Sequence, residues 1–345
     1  MKIVRTDREL ETPHIDGTLR AAGHELVLLP DGTAEDDLVD AVGGADLILM
    51  CYTPITARVI RAAESLKGIV KYGVGVDAID IPAAHGRGVQ VVNIPEYAEE
   101  TVAEGAFALM IALAKKLAPL NAKMQAEGWA WPQPPWLGGD IAGKTVGLVG
   151  FGKIARSMAR MAGAGFRARV LAYDPNVSGE AMTEAGVEKR DHLLDLLAES
   201  DFVSLHCVLT NQSRGLIGRR ELSAMKPSAF LINTARGALV HEAALLDALD
   251  NGTIAGAGLD VFSAEPLSRH RHPMSPLFGR DNVILTPHLT FYTAEAMHRL
   301  EAETLERCFE ILEGREVQIK SLDPRLSTAK MSDQDNRGTS AAPKE

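Results

Sequence analysis

Short apolar runs recur through the first quarter of the chain, and polar segments with helical spacing separate them. Four of these runs have the length and composition of strands: KIVRT, LVLLP, DLILM and GIVKY. Strands that alternate with helical segments indicate parallel pairing, because a parallel connection has to cross over the face of the sheet. The pattern therefore predicts an α/β fold.

A longer helical pattern follows in EETVAEGAFALMIALAKKL. Small and apolar residues recur with helical spacing from Val102 to Leu117, and we expect Pro119 to end this helix. The next segment, GWAWPQPPWLGGD, contains all three tryptophans and three prolines. We predict that it is not helical and that it separates two parts of the chain.

A second series of strands and helices begins at Lys144. Its strand candidates are TVGLVGFG, RVLAYD, DFVSLH, AFLINT, IAGAGLDVF and NVILTPH. A last helix is predicted from about Thr293 to Leu312. The segment 326–345 is polar and almost free of large apolar residues, so we expect it to be a disordered tail.

Composition narrows the class of protein. The 345 residues suggest two domains at roughly 150 residues each, and 46% hydrophobic residues are enough for a large core. A formal net charge of -10 argues against a nucleic-acid partner. Three dispersed cysteines indicate neither a disulfide framework nor a metal site. We expect a cytoplasmic protein, because the start is charged and no apolar run reaches the ~18 residues of a membrane span.

A glycine-rich loop stands between a predicted strand and a predicted helix, in TVGLVGFGKIARSMA. Gly150 permits a tight turn, Gly152 lets the backbone approach a pyrophosphate, and Ala155 is small enough for the helix to pack on the strand. The N-terminus of that helix offers N–H groups and a positive dipole end to phosphates. The segment therefore predicts a dinucleotide site.

The strand after this loop, RVLAYD, ends at Asp174. A carboxylate there can accept hydrogen bonds from the adenosine ribose and would repel a 2′-phosphate, which favours NAD over NADP. The alternative is that Asp174 and Pro175 only form a turn at the end of the strand.

Three further strand candidates end in residues that together suit the reduction of a 2-oxo acid. Arg236 follows AFLINT, Glu265 follows LDVFSA, and His288 ends VILTPH. A guanidinium can bind the carboxylate and the carbonyl, and a histidine can supply the proton that the carbonyl oxygen gains. A carboxylate beside the imidazole orients it and stabilises its protonated form.

Each of these residues also has a structural explanation. Arg236 can be a surface residue in a turn, Glu265 a helix-capping carboxylate before a proline, and His288 a strand-end histidine with its hydrogen bonds satisfied. In open parallel sheets, however, ligands bind beyond the carboxyl ends of the strands. Three such residues behind a dinucleotide loop therefore favour the catalytic interpretation.

At this point the chain resembles the D-isomer-specific 2-hydroxy acid dehydrogenases, a family that includes 3-phosphoglycerate and D-lactate dehydrogenases. The resemblance covers residues from about 40 to 315. It rests on KYGVGVDAID, NIPEYAEETVAE, GLVGFGKIA, NTARGALV, GAGLDVFSAEP and TPHLTFYT. It implies NAD-dependent transfer of a hydride between nicotinamide and a D-2-hydroxy acid or 2-oxo acid, with a phosphoglycerate-like acid as one candidate substrate.

The resemblance implies a role for each matching residue. Arg236 would bind and polarise the substrate, His288 would be the acid/base, and Glu265 would pair with His288. The implied contacts to the cofactor are Gly150, Gly152, Lys153, Ile154, Asp174, Cys207, Thr234, Ala235, Arg236, Asp260 (at the nicotinamide carboxamide) and His288. The implied contacts to the substrate are the N–H groups of Val74 and Gly75, together with Lys71 and Arg236.

The implied architecture is α/β, with two doubly wound parallel-sheet, Rossmann-like domains flanking a cleft. A discontinuous substrate-binding domain comprises 1–98 and 293–325, and the NAD-binding domain comprises 99–292. The resemblance also implies a homodimer and a small-molecule substrate, with no membrane or nucleic-acid partner. No regulatory domain follows the last helix in this sequence, so we expect no feedback by serine.

Some positions depart from the family pattern and bear on the substrate. Val208 stands where the family often has proline, and Glu96 stands where it often has glycine, at the entrance to the substrate site. Lys71 stands where several phosphoglycerate enzymes have arginine. It can bind a second anionic group of the substrate, or it can be an ordinary solvated strand residue.

Two other functions stay open at this stage. One is an NAD-sensing binding protein, like the corepressors that share this fold and keep the same three residues. The other is a phosphite or formate dehydrogenase. Formate enzymes carry an amide in place of the carboxylate that pairs with the histidine, so Glu265 argues against that branch.

Overall fold

The computed structural model describes residues 1–321 and 323–326. The chain divides into two compact units, one formed by 1–97 together with the described residues from 294 onward, and one formed by 98–293. The domain boundaries given above, 1–98 with 293–325 and 99–292, stay a prediction about which parts fold independently. The two units are described separately.

The first unit is built on a five-stranded sheet in which every pairing is parallel, in the order β2-β1-β3-β4-β5. Its strands are β1 (Lys2–Arg5), β2 (Glu25–Leu28), β3 (Leu47–Met50), β4 (Gly68–Lys71) and β5 (Gln90–Asn93). Its helices are α1 (Pro13–Ala21), α2 (Glu35–Ala41), α3 (Ala57–Ala62), α4 (Ile81–His85) and α12 (Ala294–Leu312).

Apolar helix faces cover this sheet. Strands β3 and β4 are buried along their whole length, as expected for parallel strands with helices on both faces. Helices α1 and α12 pack against each other, and the buried Glu301 of α12 accepts hydrogen bonds from the first turn of α1, at His14 N (2.8 Å) and Ile15 N (3.0 Å). Leu326 is fully buried in the apolar cluster formed with α2, α3 and α4.

The second unit contains a seven-stranded parallel sheet in the order β12-β11-β10-β9-β6-β7-β8. Its strands are β6 (Thr145–Val149), β7 (Arg169–Tyr173), β8 (Glu188–Lys189), β9 (Phe202–Leu205), β10 (Phe230–Asn233), β11 (Gly256–Leu259) and β12 (Val283–Leu285). Its helices are α5 (Glu99–Ala114), α6 (Leu117–Glu127), α7 (Lys153–Arg160), α8 (Gly179–Glu184), α9 (Leu193–Glu199), α10 (Arg219–Ala224) and α11 (Glu242–Asp250).

The strand order of this second sheet reverses between β6 and β9. From β6 the chain first builds outward through β7 and β8, then returns to β9 and builds the other half of the sheet. The loops that follow β6 and β9 therefore diverge from each other. Such a switch point leaves a crevice at the carboxyl ends of the strands, where ligands of doubly wound folds bind.

The structure confirms the predicted strands and corrects the predictions from the sequence at three places. Helix α5 ends at Ala114, not at Leu117, because Lys116 takes a left-handed conformation with φ 52°. Pro119 does not stop a helix; it lies in the first turn of α6, where its missing N–H is not needed. Strands β5 and β8 were not predicted, and β8 has only two residues.

The segment between α6 and β6 has no α-helix, as predicted, and contains one 3-10 turn at Pro134–Trp136. Of the tail 326–345, only Leu326 is among the described residues, and its burial removes it from the predicted disordered segment. The rest of that prediction lies outside the described residues. None of the described helices is long and apolar enough to cross a membrane.

Candidate active site

The glycine-rich loop follows β6 at the switch point. Gly150 has φ +92°, and a Cβ there would lie 2.7 Å from the backbone nitrogen of Cys207, which follows β9. A side chain at 150 would therefore force the two diverging loops apart. The close approach of these backbones explains why the sequence has glycine at this position.

The second glycine leaves open space where a phosphate can approach. Gly152 is the N-cap of α7, and no atom lies within 4 Å of the position its Cβ would take. Lys153 and Ile154 open the helix, and the Lys153 ammonium forms an ion pair with Glu99 at 3.0 Å. Ala155 is fully buried where α7 packs. The helix N-terminus thus presents N–H groups toward open space, as the sequence predicted.

Asp174 follows β7 and is bonded to the glycine-rich loop. Its Oδ2 accepts a hydrogen bond from Phe151 N at 2.9 Å, and its Oδ1 accepts one from Asn176 N at 2.8 Å. The carboxylate therefore holds the loop and also forms the turn at the end of β7. Each oxygen keeps a lone pair with which it can accept a further hydrogen bond from a ribose hydroxyl.

Polar atoms without partners lie at the ends of β9 and β10. Among the described residues, neither His206 Nε2 nor Thr234 Oγ1 has a hydrogen-bond partner, although both atoms are buried. Burial lowers the pKa of His206 to about 4, so its ring is neutral near pH 7, and burial raises the pKa of the Cys207 thiol to about 11. Unsatisfied polar atoms beside an open glycine loop fit a polar ligand such as NAD.

Arg236 follows β10 on a loop that two features hold in place. The side chain of Asn233, the last residue of β10, donates to Arg236 O at 2.8 Å and accepts from Ala235 N at 3.1 Å. A Cβ at Gly237 would lie 2.0 Å from the carbonyl carbon of Phe262. The loop that carries Arg236 therefore packs directly on the backbone that leads to Glu265.

Glu265 and His288 form a hydrogen-bonded pair. His288 Nδ1 lies 2.8 Å from Glu265 Oε2, and Glu265 Oε1 accepts from Phe262 N at 2.9 Å. The His288 side chain is 27% exposed and the Glu265 side chain is 30% exposed, so both remain accessible to a small molecule. Because Nδ1 is engaged with the carboxylate, proton exchange with a ligand would use the other ring nitrogen, Nε2.

The loop that carries His288 is organised by Asp260, which is fully buried at the end of β11. Asp260 Oδ1 accepts from Thr286 Oγ1 (2.6 Å) and Leu289 N (3.1 Å), and Oδ2 accepts from Thr290 N (3.1 Å) and Thr290 Oγ1 (2.6 Å). Its backbone carbonyl accepts from His288 N at 2.8 Å. These internal donors engage both carboxylate oxygens, so the geometry gives Asp260 a positioning role that the sequence did not suggest.

The remaining predicted residues belong to the first unit. Val74 and Gly75 lie in the loop after β4, and Val74 is 43% exposed. Lys71, the last residue of β4, is buried. Its ammonium donates to Cys51 O, lies 3.3 Å from Cys51 Sγ, and lies 5.4 Å from the centroid of the Tyr52 ring.

Sequence reasoning did not single out three polar residues at the ends of strands. Asn233 and Asn93 are the last residues of β10 and β5, and His206 follows β9. All three stand in segments that were examined for other residues: NTARG, NIPEY and DFVSLH. A polar residue at the end of a buried strand was the available signal. For Asn93, the hydrogen-bond partner lies 19 residues away on another loop, whose path the sequence does not give.

Sequence comparisons agree with this geometry. Residues 107–290 match the family model described as D-isomer specific 2-hydroxyacid dehydrogenase, NAD binding domain. The D-3-phosphoglycerate dehydrogenase of Mycobacterium tuberculosis is 40% identical over 291 residues, which cover 84% of this chain and 53% of that enzyme. The chain thus spans about half the length of the curated phosphoglycerate dehydrogenases it matches. The hydroxypyruvate reductase of Thermotoga maritima is 37% identical over 84% of this chain and 92% of that enzyme.

Solved structures with a similar fold include a D-2-hydroxy acid dehydrogenase. The crystal structure of a D-lactate dehydrogenase from Aquifex aeolicus, complexed with NAD and lactic acid, is similar with a TM-score of 0.81 and 29% identity. The match covers 90% of this chain and 96% of that one. The second unit described above is the family's NAD-binding domain. With its glycine-rich loop at the switch point and its paired carboxylate and histidine, the chain belongs to the D-isomer-specific 2-hydroxyacid dehydrogenase family.

Proposed function

We propose that this protein is an NAD-dependent dehydrogenase of a D-2-hydroxy acid and that it also reduces the corresponding 2-oxo acid. The observation that carries the proposal is the Glu265–His288 pair at 2.8 Å, with the segment that leads to Glu265 packed on the loop that holds Arg236. Each member follows a different strand of the NAD-binding unit. General acid–base chemistry is therefore available where the family binds its cofactor.

The residues have distinct roles in this proposal. Bound NADH supplies the hydride. His288 donates a proton from Nε2 to the carbonyl oxygen of the 2-oxo acid, and Glu265 stabilises the protonated ring through Nδ1. Arg236 binds the carboxylate and polarises the carbonyl, because a guanidinium offers two parallel N–H donors. In the oxidative direction, His288 accepts the proton of the hydroxyl group.

Lys71 supports a substrate with a second anionic group. Its ammonium is buried, and within the described part of the chain no carboxylate forms an ion pair with it; it has only a carbonyl, a thiol and an aromatic ring as neighbours. A buried cation without an opposite charge is costly, so an anion that reaches it gains a strong partner. Glu96 is exposed in the same unit.

The test of the main proposal is NADH oxidation with a panel of 2-oxo acids: phosphohydroxypyruvate, hydroxypyruvate, glyoxylate and pyruvate. We expect reduction of at least one of them to the D-isomer. NAD(H) binding without turnover of any 2-oxo acid would instead support a sensor protein of the corepressor type. Phosphite oxidation is measured in parallel, since Glu265 and His288 suit that reaction as well.

The second-anion proposal is tested by Lys71→Met. Phosphohydroxypyruvate is expected to be a better substrate than pyruvate, and the variant is expected to raise KM for phosphohydroxypyruvate far more than for pyruvate. The difference should persist at high salt, because a buried charge contact is screened much less than an exposed one. If pyruvate is the best substrate and the variant changes neither KM, Lys71 has a structural role.

We also propose a homodimer that works in a reducing compartment such as the cytoplasm. Helix α6 has no buried residue, and large apolar side chains remain exposed along it and along the segment that follows. These are Leu117, Met124, Trp129, Trp131 and Leu137. Several large apolar side chains exposed on neighbouring segments are typical of a subunit interface. All three cysteines are free, which suits reducing conditions.

A further inference from the structure

The loop after β4 is attached to the end of the neighbouring strand β5. The Gly73 carbonyl accepts a hydrogen bond from Ile94 N at 3.0 Å, and the Val74 carbonyl accepts one from Asn93 Nδ2 at 2.5 Å. Lys71 and Asn93 are paired in the parallel register of β4 and β5. Two successive carbonyls of the loop therefore point toward the end of β5.

The direction of these carbonyls fixes the direction of two N–H groups. In a trans peptide the C=O and the following N–H point in opposite directions. The Gly73 carbonyl shares its peptide unit with Val74 N–H, and the Val74 carbonyl shares its unit with Gly75 N–H. Both N–H groups therefore point away from β5, and neither donates a hydrogen bond to any residue the structure describes. Adjacent N–H groups aimed the same way form a site that binds an anion.

Gly73 makes this path possible. Its φ is +149°, which an L side chain rarely adopts, and a Cβ would lie 2.9 Å from Lys71 Nζ. Glycine permits this conformation, and the two donors that bond to the Gly73 and Val74 carbonyls hold it in place. One partner is a backbone N–H that any residue at 94 except proline would supply. The other is a side chain.

A buried asparagine at position 93 lowers the stability of the fold. It is 3% exposed, and its Oδ1 is buried with no hydrogen-bond partner within the described residues. A buried unsatisfied acceptor destabilises the fold, and an apolar side chain of similar size would avoid that cost. The amide therefore calls for an explanation other than stability of the sheet, and its single hydrogen bond, to Val74 O, supplies one.

We propose that Asn93 is a positioning residue that aims the Val74 and Gly75 N–H groups at the substrate carboxylate. The inference rests on the proposed function, in which this loop binds the carboxylate of a 2-oxo acid. Without the Asn93 amide, the Val74–Gly75 peptide is free to rotate, and the Gly75 N–H loses its fixed direction. Asn93 then determines affinity for the carboxylate, whatever group the substrate carries at its other end.

The experiment compares Asn93→Leu with Asn282→Leu. Asn282 is a matched control, because its Nδ2 also donates to a backbone carbonyl, that of Ala255, at 2.9 Å, in the NAD-binding unit. In Asn93→Leu we expect KM for every 2-oxo acid, and the dissociation constant of oxalate in the presence of NADH, to rise about fivefold to tenfold, the equivalent of one lost hydrogen bond. NADH affinity is expected to stay at its wild-type value in both variants.

A uniform KM increase for substrates with and without a second anion separates this role from that of Lys71. Unchanged KM and oxalate affinity in a folded Asn93→Leu protein overturn the inference, and so does an equal effect in Asn282→Leu. If the wild-type protein reduces no 2-oxo acid and binds no oxalate, the proposed function itself fails.

A second measurement covers the case in which Asn93→Leu does not fold. Hydrogen exchange of the wild-type segment 72–76 is followed with NADH, before and after addition of oxalate. We expect its amides to exchange rapidly without oxalate and to become protected when oxalate binds. Oxalate that binds without protecting this segment overturns the proposed role of the loop and of Asn93.

Discussion

His288 has a backbone conformation that residues other than glycine rarely adopt, with φ 57°. The neighbours that impose it also orient the ring: Asp260 accepts the His288 N–H through its backbone and fixes residues 286–290 through its carboxylate. Strain of this kind persists only where the surroundings hold the residue firmly. At the scale of the residue, the direction of the imidazole is therefore decided by side chains on another strand.

The first prediction concerns His288→Ala. We expect turnover to fall by roughly 10²–10⁴-fold, because the proton donor is lost, while NADH affinity stays close to the wild-type value. Steady-state rates and fluorescence titration with NADH measure the two effects. Wild-type turnover in the variant would remove His288 from the mechanism.

The second prediction concerns His206, whose pKa burial lowers from 6.5 to about 4. The unfolded chain protonates this ring near pH 6.5, whereas the folded protein keeps it neutral until about pH 4. Between these values the unfolded state binds more protons, so His206 makes stability fall as pH falls through that window, by up to about 1.4 kcal/mol per pH unit.

Urea unfolding between pH 7 and pH 4 measures this dependence on pH. In His206→Gln we expect a smaller loss of the free energy of unfolding across that range, since glutamine does not titrate. Parallel curves for the variant and the wild type would show that the ring is protonated as easily in the folded protein as in the unfolded chain.

At the scale of the element, one carboxylate connects two strand ends. Asp174 closes the turn after β7 and also bonds Phe151 N in the loop after β6. From the sequence, Asp174 was predicted to bind the ribose or, alternatively, only to form a turn. The geometry shows that the turn and the loop share the same side chain, and ribose binding by Asp174 stays a prediction.

The third prediction concerns Asp174→Ala. We expect the preference for NADH over NADPH to shrink, because the charge that repels a 2′-phosphate is lost. We also expect weaker binding of NADH itself, because the loop loses its hydrogen bond at Phe151 N. The ratio of kcat/KM for the two cofactors and the dissociation constant of NADH are the measurements. Equal efficiency with both cofactors in the wild-type protein would contradict the assignment.

The junction of α5 and α6 shows why element boundaries were harder to predict than elements. The apolar periodicity of α5 was clear, but the helix ends where Lys116 turns left-handed, with Gly139 N bonded to the Ala114 carbonyl. That carbonyl is satisfied by a residue 25 positions away. Local helix propensity carries no information about such a distant partner. Pro119 was therefore predicted to end α5, although it lies in the first turn of α6.

At the scale of the whole molecule, the exposed apolar side chains of α6 and the following segment are the observation behind the proposed dimer. Trp129, Trp131 and Leu137 are 59%, 71% and 78% exposed. An aromatic side chain contributes a large apolar area to an interface at low entropic cost. Nothing else in the described chain covers them, so we expect a second copy to do so.

The fourth prediction concerns Trp131→Glu. We expect light scattering to show a dimer for the wild-type protein and a monomer for the variant at micromolar concentration. Ile319→Glu is the matched control, because Ile319 is also exposed but lies in the other unit. A monomeric wild-type protein, or an equal effect of both substitutions, would argue against an interface at α6.

The sequence by itself predicted the α/β class, which the structure confirms, and pointed to the glycine loop and to Arg236, Glu265 and His288 as the proposed catalytic set. These follow from local rules: apolar runs of strand length, glycines that a tight turn requires, and polar residues directly after strands. Only the tertiary structure decided which partners hold those residues. Asp260 bonds the loop of His288, 29 residues away along the chain, and Asn93 bonds the loop after β4, 19 residues away. A hydrogen bond depends on the position of both groups in space, and a linear pattern gives only one of them at a time.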